Sequence, residues 1–354
     1  MPLVDDNSIP INKLLTADFS RIFKLSHRGT IIDAEGNEWL MWNVDELNNW
    51  LRLFETNLGI PFGRKIHNCA ADCEEIKLQT LGLKKRGFFK KNYNKNILLS
   101  RWRLLGWGVP NFTKNKIESN CMPSISAGFY LATKEYLEQK RFKIEWNQVS
   151  DKLVNVNLSH VGDELPMPNK LVDFPWSLNS KRAMVGENIP FELEEMADNL
   201  VVDGEIMSVL PVDLFARIIH TSAGYSSQTE SSKFHSWICD GLTESQIFAL
   251  TLTCQTSKEI FLKSDSHIFI QDLDSWKEII QYRLKRFGFG DIISVSGEEH
   301  NTGFVIEKSH SSPIFIGMLV GMWERATGKA SQCTISLDDN KISLQITTLL
   351  EYAP

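Results

Sequence analysis

The chain has 354 residues, enough for two domains or one large one, and its 42% hydrophobic and 23% charged residues exclude a disordered or fibrous protein. Its formal net charge of −6 argues against general affinity for nucleic acid. No apolar run is long enough for a transmembrane segment, so none is expected.

Residues 1–29 precede the first recognisable unit of the chain, and we interpret them as an N-terminal extension. Their start, MPLVDDNSIP, has acidic residues where a signal peptide needs a basic segment followed by an apolar one. The six cysteines of the whole chain are too few for a disulfide framework in a protein of this length. We therefore expect a cytoplasmic protein with reduced cysteines.

A possible metal-binding pattern, H-x-C-x3-C, is formed by His67, Cys69 and Cys73. On a helix the two cysteines would share a face, so these side chains are candidate ligands for a soft metal such as zinc. A structural zinc site takes four ligands, however, and a free cysteine commonly packs as a small apolar side chain. Core packing is the interpretation that we favour, with metal binding as the alternative.

The stretch LKKRGFFKKNYNKNILLSRWR interleaves aromatic residues with cations. The cations are Lys84, Lys85, Arg86, Lys90, Lys91, Lys95, Arg101 and Arg103. Positive charge for phosphates together with aromatic rings for stacking is what a nucleic-acid site requires, and an anionic surface would also suit it. A solvated helix face whose aromatic residues enter the core would have the same composition. Anion binding through residues 84–103 is therefore a hypothesis.

Two phrases indicate an internal duplication. SRWRLLGWGVPNF at 100–112 and QYRLKRFGFGDII at 281–293 each end in a Gly–aromatic–Gly triplet, at residues 106–108 and 288–290. Further matches follow in the same order on both sides, pairing 31–47 with 200–215, 65–69 with 233–239, 117–137 with 306–326, and 151–158 with 340–346. A duplication preserves order in this way, whereas chance matches fade. We predict a first unit over 30–160 and a second unit over 199–354.

The segment 161–198 between the two units contains Pro166, Pro168, Pro175 and Pro190. Proline fixes its own φ and lacks an amide donor, so this composition is typical of a linker. The acidic run FELEEMADN at the end of the segment predicts a short helix leading into the second unit.

The elements of one unit are clearest in the second. Apolar spacing predicts a helix over 211–224 and another that ends near Gly288. A hairpin over 291–309, a buried helix after Pro313 and a final hairpin over 330–349 follow. Gly317 and Gly321 lie one turn apart and predict a close approach by another element. Each unit is therefore expected to be α+β, with helices packed on a small antiparallel sheet. The Gly–aromatic–Gly triplet joins a helix to the first strand, and its aromatic residue points inward.

This order of elements resembles the 4-vinyl reductase domain family, which is related in fold to the TRAPP vesicle-tethering subunits. The resemblance covers 276–346 best, then 97–158, through the LGWG-like phrase and the GMLVGMWERATG-like helix. It implies a domain that pairs with a second copy and often encloses an apolar ligand pocket, so two fused copies are expected to form an internal pseudo-dimer. Family members often carry metal-binding cysteines in the last hairpin, where this chain has only Cys333. No zinc site of that type is expected.

The sequence contains no phosphate-binding glycine loop, nucleophile elbow, HExxH or dinucleotide fingerprint, which argues against an enzyme, and it indicates no cofactor. Our first hypothesis is a non-catalytic ligand-binding or scaffold protein that recognises a small apolar ligand or a protein partner. The candidate pocket residues are Trp107, Phe129, Phe289, Met318 and Met322. Anion binding through 84–103 is the alternative, and an enzyme or accessory factor acting on a hydrophobic substrate such as a tetrapyrrole is a second alternative.

Overall fold

The computed structural model describes residues 10–83, 90–162, 164, 168, 170–177, 186–228, 234–298 and 300–349. Helices and small, mostly antiparallel sheets alternate along this part of the chain, so the α+β class is confirmed. Among the described residues, no helix combines the length and apolar character needed to cross a membrane.

The N-terminal part and the first unit contain helices and strands in a regular order. They are α1 (Lys13–Ile22), β1 (Lys24–Leu25), β2 (Ile31–Ile32), β3 (Glu38–Asn43), α2 (Val44–Leu58), α3 (Gly63–Thr80), α4 (Lys90–Leu104), β4 (Val109–Asn111), β5 (Lys116–Glu118), α5 (Pro123–Glu138), β6 (Arg141–Gln148) and β7 (Leu153–Gly162). Local chemistry sets some of these bounds. Asn43 caps α2 by accepting hydrogen bonds from two backbone N–H groups, and Gly59 ends it in the left-handed region.

The remaining elements are β8 (Glu194–Met196), β9 (Asn199–Val202), β10 (Glu205–Pro211), α6 (Val212–Ala223), β11 (Trp237–Cys239), α7 (Glu244–Lys263), α8 (Leu273–Arg283), β12 (Ile292–Glu298), β13 (Asn301–Glu307), α9 (Ser312–Thr327), β14 (Ser331–Leu337) and β15 (Lys341–Thr348). The helix predicted for the acidic run 191–199 is wrong, because the middle of this run forms β8. A turn with positive φ at Ala197 and Asp198 folds β8 back onto β9. Pairing with a neighbouring strand overrides the weak helix preference of the run.

The same strand order recurs in two of the sheets. In the first unit it is β4-β5-β7-β6, and in the second it is β12-β13-β15-β14, with β11 added in parallel beside β14. In both sheets the last strand of the unit lies next to the second strand of the first hairpin. The helix between the two hairpins packs in each case on the second helix of the unit, α5 on α3 and α9 on α7.

A third sheet, with the order β1-β2-β3-β10-β9-β8, pairs β3 with β10 in antiparallel register. Met41 lies opposite Val209 at the middle of this pairing. Helices also cross between the units, because α2 packs on α7 and α6 packs on α3. The described residues of the two units consequently share one large hydrophobic core.

The Gly–aromatic–Gly joints, residues 106–108 and 288–290, behave as predicted at their aromatic residues. Trp107 is 1% exposed and Phe289 is 3% exposed, so both point inward. Gly106 and Gly288 have positive φ. A Cβ atom on Gly106 would clash with the Met207 carbonyl oxygen on β10, and one on Gly288 would lie 2.7 Å from the Trp39 carbonyl oxygen on β3. Each joint therefore packs against the central strand of the other unit.

The close approach predicted at Gly317 and Gly321 is confirmed. A Cβ atom on Gly317 would clash with the Cys254 carbonyl oxygen, and one on Gly321 would lie 3.0 Å from the Lys258 carbonyl oxygen. Both carbonyl groups belong to α7, so the two glycines of α9 allow these helices to pack backbone against backbone.

Candidate functional site

The five predicted pocket residues lie in the hydrophobic core. Trp107 stacks on Phe129 with ring centroids 3.9 Å apart, and Met322 is fully buried. Phe289 contacts Trp42 edge to face at 5.0 Å. Neither of the two clefts described below is lined by Trp107, Phe129 or Met322, whereas Phe289 and Met318 form part of the inner wall of the second cleft.

A cleft of about 840 Å³, here called the first cleft, opens on the first unit. It lies between α1, the segment joining β2 to β3, the C-terminal end of α3 and the length of α4. Its apolar walls include Leu14, Leu15, Ile22, Ile97, Leu104 and Leu105. Leu14 is 81% exposed, so α1 presents an apolar residue to the rim of the cleft rather than to the core.

Trp39, Lys77 and Arg101 also line the first cleft. The Trp39 indole donates a hydrogen bond to Asp33 at 2.8 Å, which fixes the ring. The Lys77 ammonium lies 5.2 Å from the centre of this ring and the Arg101 guanidinium 5.7 Å, within the range of cation–π attraction. Two cations thus reach an apolar cleft beside one tryptophan.

Each of these cations has one carboxylate partner among the described residues. Lys77 pairs with Asp213 of α6 at 3.0 Å, and Arg101 donates to Glu74 Oε1 at 2.8 Å. Burial raises the pKa of Glu74 to about 7, with Arg101 and Lys77 opposing the rise. Burial disfavours the Lys77 ammonium, but Asp213, with smaller effects from Cys73 and Asp33, outweighs it and raises the pKa of Lys77. The site therefore holds a carboxyl group that titrates near neutral pH beside a guanidinium.

A second cleft, of about 560 Å³, lies between the β9–β10 turn, the end of α7 and the C-terminal part of α8 of the second unit, and the end of β3 and start of α2 of the first. The charged residues of this cleft differ from those of the first cleft. Carboxylates predominate in its lining, which includes Asp45, Glu46, Asp203, Glu205 and Asp265. Arg286 pairs with Asp203 at 2.7 Å, and burial raises the pKa of Glu46. Met207 stands where the first cleft has Trp39, since each lies five residues before the helix that follows its strand.

The residues of the H-x-C-x3-C pattern are buried on α3, where Cys69 Sγ lies 3.6 Å from Thr221 Oγ1 of α6. The His67 ring stacks on Trp146 at 4.7 Å, and burial lowers the pKa of His67 to about 4. Cys73 is fully buried, and burial raises the pKa of the Cys69 thiol to about 11. No group of three or more His, Cys, Asp or Glu side chains in the described part of the chain could hold a metal ion.

The cations of the basic stretch 84–103 have different surroundings. Lys84, Lys85 and Arg86 lie outside the described residues. Of the others, Lys91 is bound to Glu138 at 3.0 Å, and Arg101 is only 11% exposed and bound to Glu74. Lys90 is exposed and Lys95 is half-buried, and both lie on α4. Arg101 and Arg103 both line the first cleft, and Arg103 is also exposed.

Sequence reasoning missed the residues that build the first cleft, except for Arg101 and Arg103. Trp39 comes from β3 and Lys77 from α3, which also carries Glu74, and α1 belongs to the segment that was interpreted as an extension. One signal was present: the repeat alignment places Met207 opposite Trp39, so the aromatic residue is specific to the first unit.

No family model, no curated protein and no solved structure matches the chain.

Proposed function

We propose that this chain is a non-catalytic ligand-binding protein, built from two fused 4-vinyl-reductase-like units that form an internal pseudo-dimer. Its ligand is a small and mostly apolar molecule that occupies the first cleft. The cleft itself carries the proposal, because it combines an apolar lining with a volume of about 840 Å³. Ligand pockets in proteins commonly have volumes of roughly 300–1,000 Å³ and apolar walls with a few polar groups.

The reciprocal contacts between the units support the pseudo-dimer. Met41 pairs with Val209, and each lies three residues before the first residue of the following helix, so equivalent positions face one another. The packing of α2 on α7 has its counterpart in the packing of α6 on α3. A twofold relation produces paired contacts of this kind.

The β2–β3 segment, α3 and α4 line the first cleft, and their counterparts, the β9–β10 turn, α7 and α8, line part of the second. The first suits an apolar ligand better, because α1 adds Leu14, Leu15 and Ile22 to its wall. Carboxylates dominate the second cleft, where an apolar molecule would have to displace water from charged groups at a cost in free energy.

Native mass spectrometry tests this proposal with 1-decanol and 1-naphthol as neutral probes. Ser100 is exposed and lines the first cleft, so Ser100→Trp should fill that cleft and abolish retention of the probes. Ser264→Trp makes the same chemical change in the second cleft and serves as the matched control. We expect the natural protein and Ser264→Trp to retain at least one probe. Retention of neither probe by the natural protein, or loss only in Ser264→Trp, would overturn the proposal.

A further inference from the structure

We propose that the ligand of the first cleft is an organic monocarboxylate, whose acid group binds Arg101 while its apolar body lies along α1 and α4. The same geometry couples ligand binding to protonation of Glu74, because the ionised Glu74 carboxylate competes with the ligand for Arg101. This inference rests on the proposed function and specifies the chemistry of its ligand.

The contacts of Arg101 carry the first step. Its side chain is 11% exposed and lines the cleft. Within the described ranges its one hydrogen-bonding partner is Glu74, reached through Nη1. A guanidinium has five N–H donors, so Nε and Nη2 of Arg101 are not used by its bond to Glu74. A planar guanidinium pairs with a carboxylate through two parallel hydrogen bonds, which makes this the anion that the site fits best.

Aromatic rings hold Arg101 in place. The guanidinium carbon lies 4.7 Å from the centre of the Trp107 ring and 5.7 Å from that of Trp39. Trp107 is itself fixed, because its indole N–H donates to the Val209 carbonyl oxygen at 2.8 Å. An arginine that is already oriented loses little side-chain entropy when it binds a ligand, which favours a specific anion site.

The burial and hydrogen bonding of Glu74 are the second observation that supports the inference. Glu74 is 0% exposed, its Oε1 accepts from Arg101, and its Oε2 is buried without a hydrogen-bond partner among the described residues. The charged groups that act on Glu74 are Arg101 from α4, Lys77 from α3 and Asp213 from α6. Lys77 is neutralised by Asp213 at 3.0 Å. When Glu74 binds a proton, Arg101 is left as the one uncompensated charge among these groups.

A monoanion balances that single charge, whereas a dianionic phosphate would leave a negative charge in a mostly apolar cleft. Binding of a carboxylate beside Glu74 also favours the protonated form of Glu74, because two carboxylates near one guanidinium repel each other. The pKa of Glu74, raised by burial to about 7, places this proton uptake near neutral pH. Affinity for the acid is therefore expected to fall as the pH rises through this value.

Isothermal titration calorimetry of the natural protein tests the inference with decanoate, 1-decanol and decylamine, which share one apolar chain. At about pH 6 decanoate should bind about tenfold more tightly than 1-decanol, as one charge-assisted hydrogen bond would give, and decylamine more weakly than both. At about pH 8 the preference for decanoate should be several-fold smaller. Binding of decanoate and 1-decanol with equal affinity would overturn the inference and leave the proposed function standing. Binding of neither would overturn both.

Substitutions test whether the acid group of the ligand binds at Arg101. Arg101→Gln should abolish the preference for decanoate over 1-decanol while retaining affinity for 1-decanol. Arg283→Gln is the matched control, because Arg283 also lies five residues before the first glycine of its joint but lines the second cleft. Glu74→Gln keeps a hydrogen-bond acceptor for Arg101 and should remove the pH dependence. A preference that survives in Arg101→Gln, or disappears in Arg283→Gln, would contradict the placement. The ligand series on the natural protein decides the matter even if a variant fails to fold.

Discussion

Met41 and Val209 face each other at the middle of the antiparallel pairing between β3 and β10, and each occupies the same position relative to the helix that follows. Residues on either side are related in the same way, since Trp42 pairs with Ser208 and Leu40 with Leu210. The first unit thus completes its central sheet with the second. Under the proposed pseudo-dimer, contacts across this pairing should stabilise both units together.

The joint glycines should be intolerant of a side chain. Gly106 and Gly288 have positive φ, and an added Cβ atom would approach the Met207 or Trp39 carbonyl oxygen of the opposite strand. Gly106→Ala and Gly288→Ala should each lower the free energy of unfolding by about 2–5 kcal/mol, combining the left-handed backbone cost with overpacking. Urea unfolding followed by circular dichroism measures this loss.

Gly204→Ala separates the two causes of that loss. Gly204 also has positive φ, at 80°, but a Cβ atom there would meet no atom within 4 Å. This control should lose only the backbone cost, about 1–2 kcal/mol. Equal losses in Gly204→Ala and the joint variants would show that close packing of the joints on the opposite strands contributes nothing.

The contact between Trp50 of α2 and Ser257 of α7 should couple the two units energetically. The Trp50 indole N–H donates to Ser257 Oγ at 2.9 Å, and the pair is buried. A double-mutant cycle with Trp50→Phe and Ser257→Ala should give a coupling of about 0.5–1.5 kcal/mol in the free energy of unfolding. Additive effects of the two substitutions would mean that this hydrogen bond does not link the units.

Glu74 should make stability depend on pH. Burial raises the pKa of Glu74 from 4.5 to about 7, so between these values the folded state binds more protons than the unfolded state. The contribution of Glu74 to folding stability is fully present below pH 4.5 and is lost as the pH rises through about 7. The free energy of unfolding of the natural protein, relative to Glu74→Gln, should therefore decrease across this window. Urea unfolding at several pH values checks the slope, and Glu35→Gln, at an exposed residue of the same cleft, provides the control. A constant difference would contradict the placement of Glu74.

Local sequence predicted the direction of the joint aromatic residues, since Trp107 and Phe289 both point inward. The glycines of each Gly–aromatic–Gly triplet stop the preceding helical turn. Local sequence failed for the acidic run, where strand pairing decided the outcome. It also failed for the first cleft. Leu14, Trp39 and Arg101 are far apart in the chain, and only the tertiary fold brings them to the lining of one cleft.

Photolabelling tests the central claim, that an apolar ligand occupies the first cleft, most directly. The measurement is peptide mapping by mass spectrometry after irradiation of the protein with a diazirine analogue of 1-decanol, whose neutral head group makes the result independent of the acid inference. The account predicts labels on Lys13–Ile22 and Lys90–Leu104, and their disappearance when unlabelled 1-decanol competes. Labels confined to the second cleft, or labels that 1-decanol does not displace, would contradict it.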